Sequence, residues 1–163
     1  MSQLIAPAVA GNVLWTLGQL FFGTDVNKED FLARVLIVSS LGLYLIIHWY
    51  LFDNKKDQAA NKWWPVLNLF HYVLITAIVI TAYTHHQLLS CFVISFFALN
   101  FIVHLVFTIK QKGKNFWPFL ANAIGLGLAI FGYIHPSNSE SWYAASAVLA
   151  LGIWFVARKN EAG

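Results

Sequence analysis

The sequence predicts an all-α, polytopic membrane protein of six transmembrane helices arranged as three antiparallel hairpins. Three observations carry that expectation. The 163 residues are 59% hydrophobic and only 10% charged, against roughly 25% charged in soluble domains. The apolar residues fall in six runs near the length of about 20 that a spanning helix needs. The runs are joined by short polar connections that hold nearly all the charge. A chain this short has too little interior to hide so much apolar surface from water. One transmembrane domain over residues 1–163 is therefore expected, with helices at about 4–22, 31–52, 63–84, 88–109, 116–134 and 141–157.

The first run is the most interrupted. It carries Pro7, Gly11, Asn12, Thr16, Gly18 and Gln19, a composition that also suits a helix lying along the interface. The second places Arg34 near its start, and the remaining four have no Asp, Glu or Lys in their interiors. The connections THHQ, KQKGKN and HPSNSE are short, which makes consecutive helices antiparallel neighbours. Strands are excluded, because backbone groups in lipid must be satisfied within a helix or a closed barrel. These runs are also too long and too continuous for barrel strands.

Charge assigns the sides. Sorted by connection, Lys55, Lys56, Lys62, Lys110, Lys112, Lys114, Arg158 and Lys159 share one side, and Lys28 and Arg34 share the other. Basic loops stay in the cytoplasm, so both termini are expected there, in a cell membrane or bacterial inner membrane. Trp49, Tyr50, Trp63, Trp64, Trp117 and Trp154 fall near the cytoplasmic boundary. Tyr83, Tyr133, Trp142 and Tyr143 fall near the outer one. Both groups suit interfacial belts. Trp15 sits mid-run and fits neither. The acids, Glu140 among them, are assigned to loops and the tail.

An internal repeat is suggested by Lys62-Trp63-Trp64-Pro65 and Lys114-Asn115-Phe116-Trp117-Pro118, each followed within about a turn by an Asn. The same pattern has a plain origin in the preference for Pro in a first helical turn and for Trp and Lys at interfaces.

The candidate functional residues are the polar ones inside the apolar runs. Asn68 and His71 are three apart, and Asn100 and His104 four apart, so each pair shares a helix face. Ser40, Tyr44 and His48 form a third stripe, and Asn12, Thr16 and Gln19 a fourth. At 1.5 Å of rise per residue, His48, Asn68, His71, Asn100, His104 and Asn122 all lie roughly 7–15 Å inside the cytoplasmic boundary. Polar side chains at such depth face a neighbouring helix or a cavity. The sequence therefore predicts a polar layer in the cytoplasmic half, built from Asn12, Tyr44, His48, Asn68, His71, Asn100, His104 and Asn122.

Three uses compete for that layer. Binding or transport of a small solute makes it a cavity, and histidine adds a group that titrates near neutral pH. Haem b ligation by His71, His104 or His48 makes the protein a membrane cytochrome subunit, with Gly125, Gly127 and Gly132 giving room for the ring. Interhelical hydrogen bonding alone makes it an accessory or assembly subunit. No cofactor is required by the pattern.

Several classes are excluded. A single cysteine, Cys91, permits no intrachain disulfide and no cysteine-based zinc site. No carboxylate or lysine lies at depth for a proton relay or a Schiff base. Enzyme activity would require the histidines to hold a metal or cofactor. No basic run interleaved with aromatics points to nucleic acid. The expected partners are the lipid bilayer, an unidentified small solute, and a second copy or another membrane subunit.

Overall fold

The computed structural model describes residues 2–23, 30–52, 64–84, 86–110 and 116–161. It is all-helical among them. The six helices are α1 (Ser2–Phe22), α2 (Phe31–Phe52), α3 (Trp64–Thr84), α4 (His86–Lys110), α5 (Phe116–Ile134) and α6 (Ser139–Glu161), with a 3-10 turn at Pro136–Asn138 before α6. Pro65 and Pro118 fall in the first turn of their helices, where a missing N–H costs nothing. Gly23 follows the last residue of α1, and its N–H bonds to the Gln19 carbonyl at 2.8 Å. The basic connections and the side chains of Trp49, Tyr50, Trp63, Trp64 and Trp154 lie outside the described residues.

The helices form two compact units, Met1–Leu89 and Ser90–Gly163. In the first, α1 packs on both α2 and α3, and α2 packs on α3. The inward positions of α1, Val9, Val13, Thr16 and Leu20, recur every three or four residues, which is one helix face. On α3 the same spacing buries Ile75, Ile78, Val79 and Ala82. Gly42 of α2 lets α1 approach: a Cβ there would stand 2.7 Å from Val13 Cγ1.

In the second unit the pairing is of rings with glycines. Ala121, Gly125, Ala129 and Gly132 line one face of α5. A Cβ on Gly125 would lie 2.6 Å from Phe97 Cδ1 of α4. One on Gly132 would lie 2.8 Å from Trp142 Cβ and 2.9 Å from Tyr143 Cε1 of α6. The two missing side chains seat aromatic rings from two different helices. Tyr143 is wholly buried and crosses to α4, its hydroxyl donating to Ser90 Oγ at 2.8 Å.

Three described helical stretches are long and apolar enough to cross a membrane: Pro65–Thr84, Gln87–Lys110 and Phe116–Ile134. Their exterior is apolar while their interior holds polar groups. Asn100 is 1% exposed and Ile102, two positions on, is 57% exposed. His71 is buried between Phe70 and Val73, both more than half exposed. In water that distribution is inverted; in lipid it is the expected one, because outward apolar side chains need no cover. Trp15, which fits no interfacial belt, is 69% exposed among the outward residues of α1.

Two sequence expectations differ from the structure. Glu140 was assigned to a loop, yet α6 begins at Ser139, which puts Glu140 in its first turn, and it is only 2% exposed. A first turn suits an acid because the unpaired N–H groups there carry partial positive charge. Tyr143 was assigned to the outer aromatic belt, but it is a core residue. A tyrosine one turn inside a helix end reads the same in sequence whether its hydroxyl meets headgroups or a serine on another helix.

The glycine pairing yields a direct expectation. Gly125→Ala forces Phe97 aside and destabilises the protein by about 1–3 kcal/mol, the usual cost of overpacking. Gly127→Ala, with nothing within 4 Å of the added Cβ, is neutral or gains up to about 1 kcal/mol from helix propensity. Unfolding in detergent, followed by near-ultraviolet circular dichroism, distinguishes the two.

Candidate functional site

In the first unit two of the candidate residues meet. Tyr44 of α2 and His71 of α3 are hydrogen-bonded, Oη to Nε2, at 3.1 Å. Their rings lie nearly parallel, 23° apart with centroids 5.8 Å apart. Tyr44 shares a helix face with Ser40, which is buried, and His71 with Asn68, also buried. Which atom donates depends on the imidazole tautomer. A neutral ring with its proton on Nδ1 accepts from the phenol through Nε2. The ring protonated on Nε2 donates to the phenol oxygen. The pair can thus hold a proton in either of two places without breaking contact. Asn12 is half-buried on α1. The side chain of His48 lies outside the described residues.

In the second unit Asn100 and His104 stand one turn apart on α4, and Asn122 stands on α5. Asn100 is 1% exposed and Asn122 8% exposed; His104 is half-buried. Both asparagines turn back on their own helices. Asn100 Nδ2 donates to the Phe96 carbonyl at 3.0 Å, and Asn122 Nδ2 donates to the Pro118 carbonyl at 2.7 Å. The orientation of each amide follows, since the reverse would set two oxygens against each other. Asn100 Oδ1 is buried with no hydrogen-bond partner among the described residues.

The contacts between α4 and α5 set the level of these residues. Phe97 rests on Gly125, and one turn later Phe101 packs on Phe119, with centroids 5.1 Å apart and the rings tilted by 34°. Numbers rise along α4 as they fall along α5, so the two helices are antiparallel there. Asn100 and Asn122 both fall between these contacts and stand level across the same interface.

His71 and His104 belong to different units, and His71 Nε2 is engaged by Tyr44. The spaces over Gly125 and Gly132, which sequence reasoning offered to a flat ring, are filled by Phe97 and by Trp142 with Tyr143. Among the described residues no group of three or more His, Cys, Asp or Glu side chains is placed to hold a metal ion.

Sequence reasoning missed the Ser90–Tyr143 bond. The only available signal was a serine and a tyrosine in separate apolar runs, and nothing in the spacing links them. The repeat motifs also part company: Pro65 is exposed whereas Pro118 is buried. No family model, curated protein or solved structure matches this chain. The site is therefore read from its own chemistry.

The Tyr44–His71 bond has a measurable worth. Tyr44→Phe removes the hydroxyl and keeps the ring, and interhelical hydrogen bonds in membranes contribute about 0.6–2 kcal/mol. A loss in that range is expected for Tyr44→Phe in detergent unfolding.

Proposed function

We propose that this chain is an integral membrane protein of six spanning helices, three antiparallel hairpins with both termini cytoplasmic, that binds or conducts a small solute through its buried polar residues. The observation that carries the reading is polar chemistry in excess of what holding helices together requires. Glue consists of satisfied bonds, such as Tyr143 to Ser90. Asn100 has an acceptor that none of the described residues satisfies, and a buried unmet acceptor costs roughly 1–3 kcal/mol. A protein that keeps such a group gains something from it, and contact with a solute is the economical account.

The basic connections support the topology, since eight of the ten Lys and Arg residues fall on one side of the six-span arrangement, as the positive-inside rule requires. Haem binding is the less favoured use of the histidines. It would demand that the Tyr44–His71 bond open and that aromatic rings leave Gly125 and Gly132.

The test is solute flux through purified protein in lipid vesicles. The reading expects flux above that of empty vesicles, reduced at least about threefold in His71→Ala, in keeping with the loss of one hydrogen-bonding group. A melting temperature lowered in that variant with flux unchanged would assign His71 to packing. A red preparation whose Soret band vanishes in His71→Ala or His104→Ala would replace the solute with haem.

A further inference from the structure

The two asparagines at the α4–α5 interface carry information about what kind of solute they meet. Each amide nitrogen gives one of its two hydrogens to the carbonyl one turn earlier in its own helix, Phe96 for Asn100 and Pro118 for Asn122. What remains on each side chain is one N–H and the oxygen. For Asn122 the bond to Pro118 is the one hydrogen bond its side chain makes among the described residues. For Asn100 the oxygen is buried and unpartnered. The buried atom left wholly unmet at this level among the described residues is therefore an acceptor, the Asn100 oxygen.

We propose that Asn100 Oδ1, with Asn122 level with it on α5, forms a binding site for small neutral molecules that donate hydrogen bonds. The proposal rests on the solute reading above and narrows it to a substrate class. Acceptor-only anions leave the Asn100 oxygen unmet and bring an unpaired charge into a low-dielectric interior. Cations find no countercharge: α4 from Leu88 to Ile109 and all of α5 contain no Asp or Glu, and an unpaired charge in a low-dielectric interior is far costlier than a neutral donor. A molecule with N–H or O–H groups and no net charge satisfies the orphan oxygen without that cost. Urea, glycerol and water share this chemistry.

The experiment uses the full chain in two formats. In lipid vesicles, stopped-flow light scattering compares urea and glycerol with formate, nitrate and ammonium. The expected result is flux of urea or glycerol alone, falling about tenfold in Asn100→Leu, as for the loss of one well-made bond, and persisting in Asn122→Leu at a reduced rate. Flux of formate, nitrate or ammonium equal to that of the neutral donors overturns the class assignment while leaving conduction intact. In detergent, the melting temperatures of wild type and Asn100→Leu are compared. Leucine keeps asparagine's branched four-atom side chain without its donor or acceptor, and Asn122→Leu, which makes the same size change and loses the same kind of intrahelical bond, is the control. A melting temperature lowered more in Asn100→Leu than in Asn122→Leu means that a donor, water included, meets Oδ1 and is lost, which supports the site even where no probe crosses the vesicle and conduction fails. A melting temperature raised, or lowered no more than in Asn122→Leu, means that the oxygen is simply unmet, and the site is overturned.

Discussion

In an apolar surrounding a polar side chain has only the protein to bond to, and in this chain most such groups turn back on their own helix. Thr81 Oγ1 donates to the carbonyls of Ala77 at 2.7 Å and Ile78 at 3.2 Å. Thr84 donates to Ile80, Ser146 to Tyr143, and Asn100 and Asn122 to the carbonyls four residues before them. These bonds cost little entropy, because both partners are already ordered by the helix. They also leave the helix exterior apolar. Against that background Tyr44 to His71 and Tyr143 to Ser90 cross between helices. One ties α2 to α3 and the other ties α6 to α4. The Asn100 oxygen, which neither mode satisfies among the described residues, is where the proposed solute would bind.

The packing follows from the same surroundings. With lipid outside, burial of apolar surface gives little preference for one helix contact over another, and close fit decides. The fit here is made by removing side chains. Gly42 admits Val13, Gly125 admits Phe97, and Gly132 admits Trp142 and Tyr143. A glycine in mid-helix costs about 1 kcal/mol in propensity, and each of these offsets it by seating a group that no other residue would accommodate. Gly11, Gly18, Gly127 and Gly152 have no atom near the position of a Cβ, so glycine content alone does not identify the contacts.

The helices were legible in sequence because their signal is local. Run length and the absence of charge locate all six, and the α2 and α5 spans of 31–52 and 116–134 coincide with the helices observed. Helix faces were legible as well. The three- and four-residue spacing that groups Asn68 with His71 also buries both. Partner choice was not legible. Nothing in the spacing of Tyr44 indicates that its hydroxyl meets His71 rather than another histidine. Nothing in Ser90 and Tyr143 foretells their bond, because contact between helices depends on rotation and offset, which one sequence does not encode locally. Glu140 escaped for a related reason. Its polarity assigned it to a connection, whereas the start of α6 was set by Ser139 and the turn at Pro136–Asn138.

The account stands on one claim: the exposed apolar faces of these helices lie against lipid, and the buried polar residues face protein. Site-directed spin labelling tests it where the two faces are closest in sequence. In the full chain reconstituted in lipid vesicles, with Cys91 replaced by Ser, a nitroxide at Ile102→Cys reports on the outward face of α4. The account predicts power saturation by oxygen, which partitions into the hydrocarbon, and little effect of a water-soluble nickel chelate. Strong relaxation by the nickel chelate with weak relaxation by oxygen would put that face in water and contradict the claim.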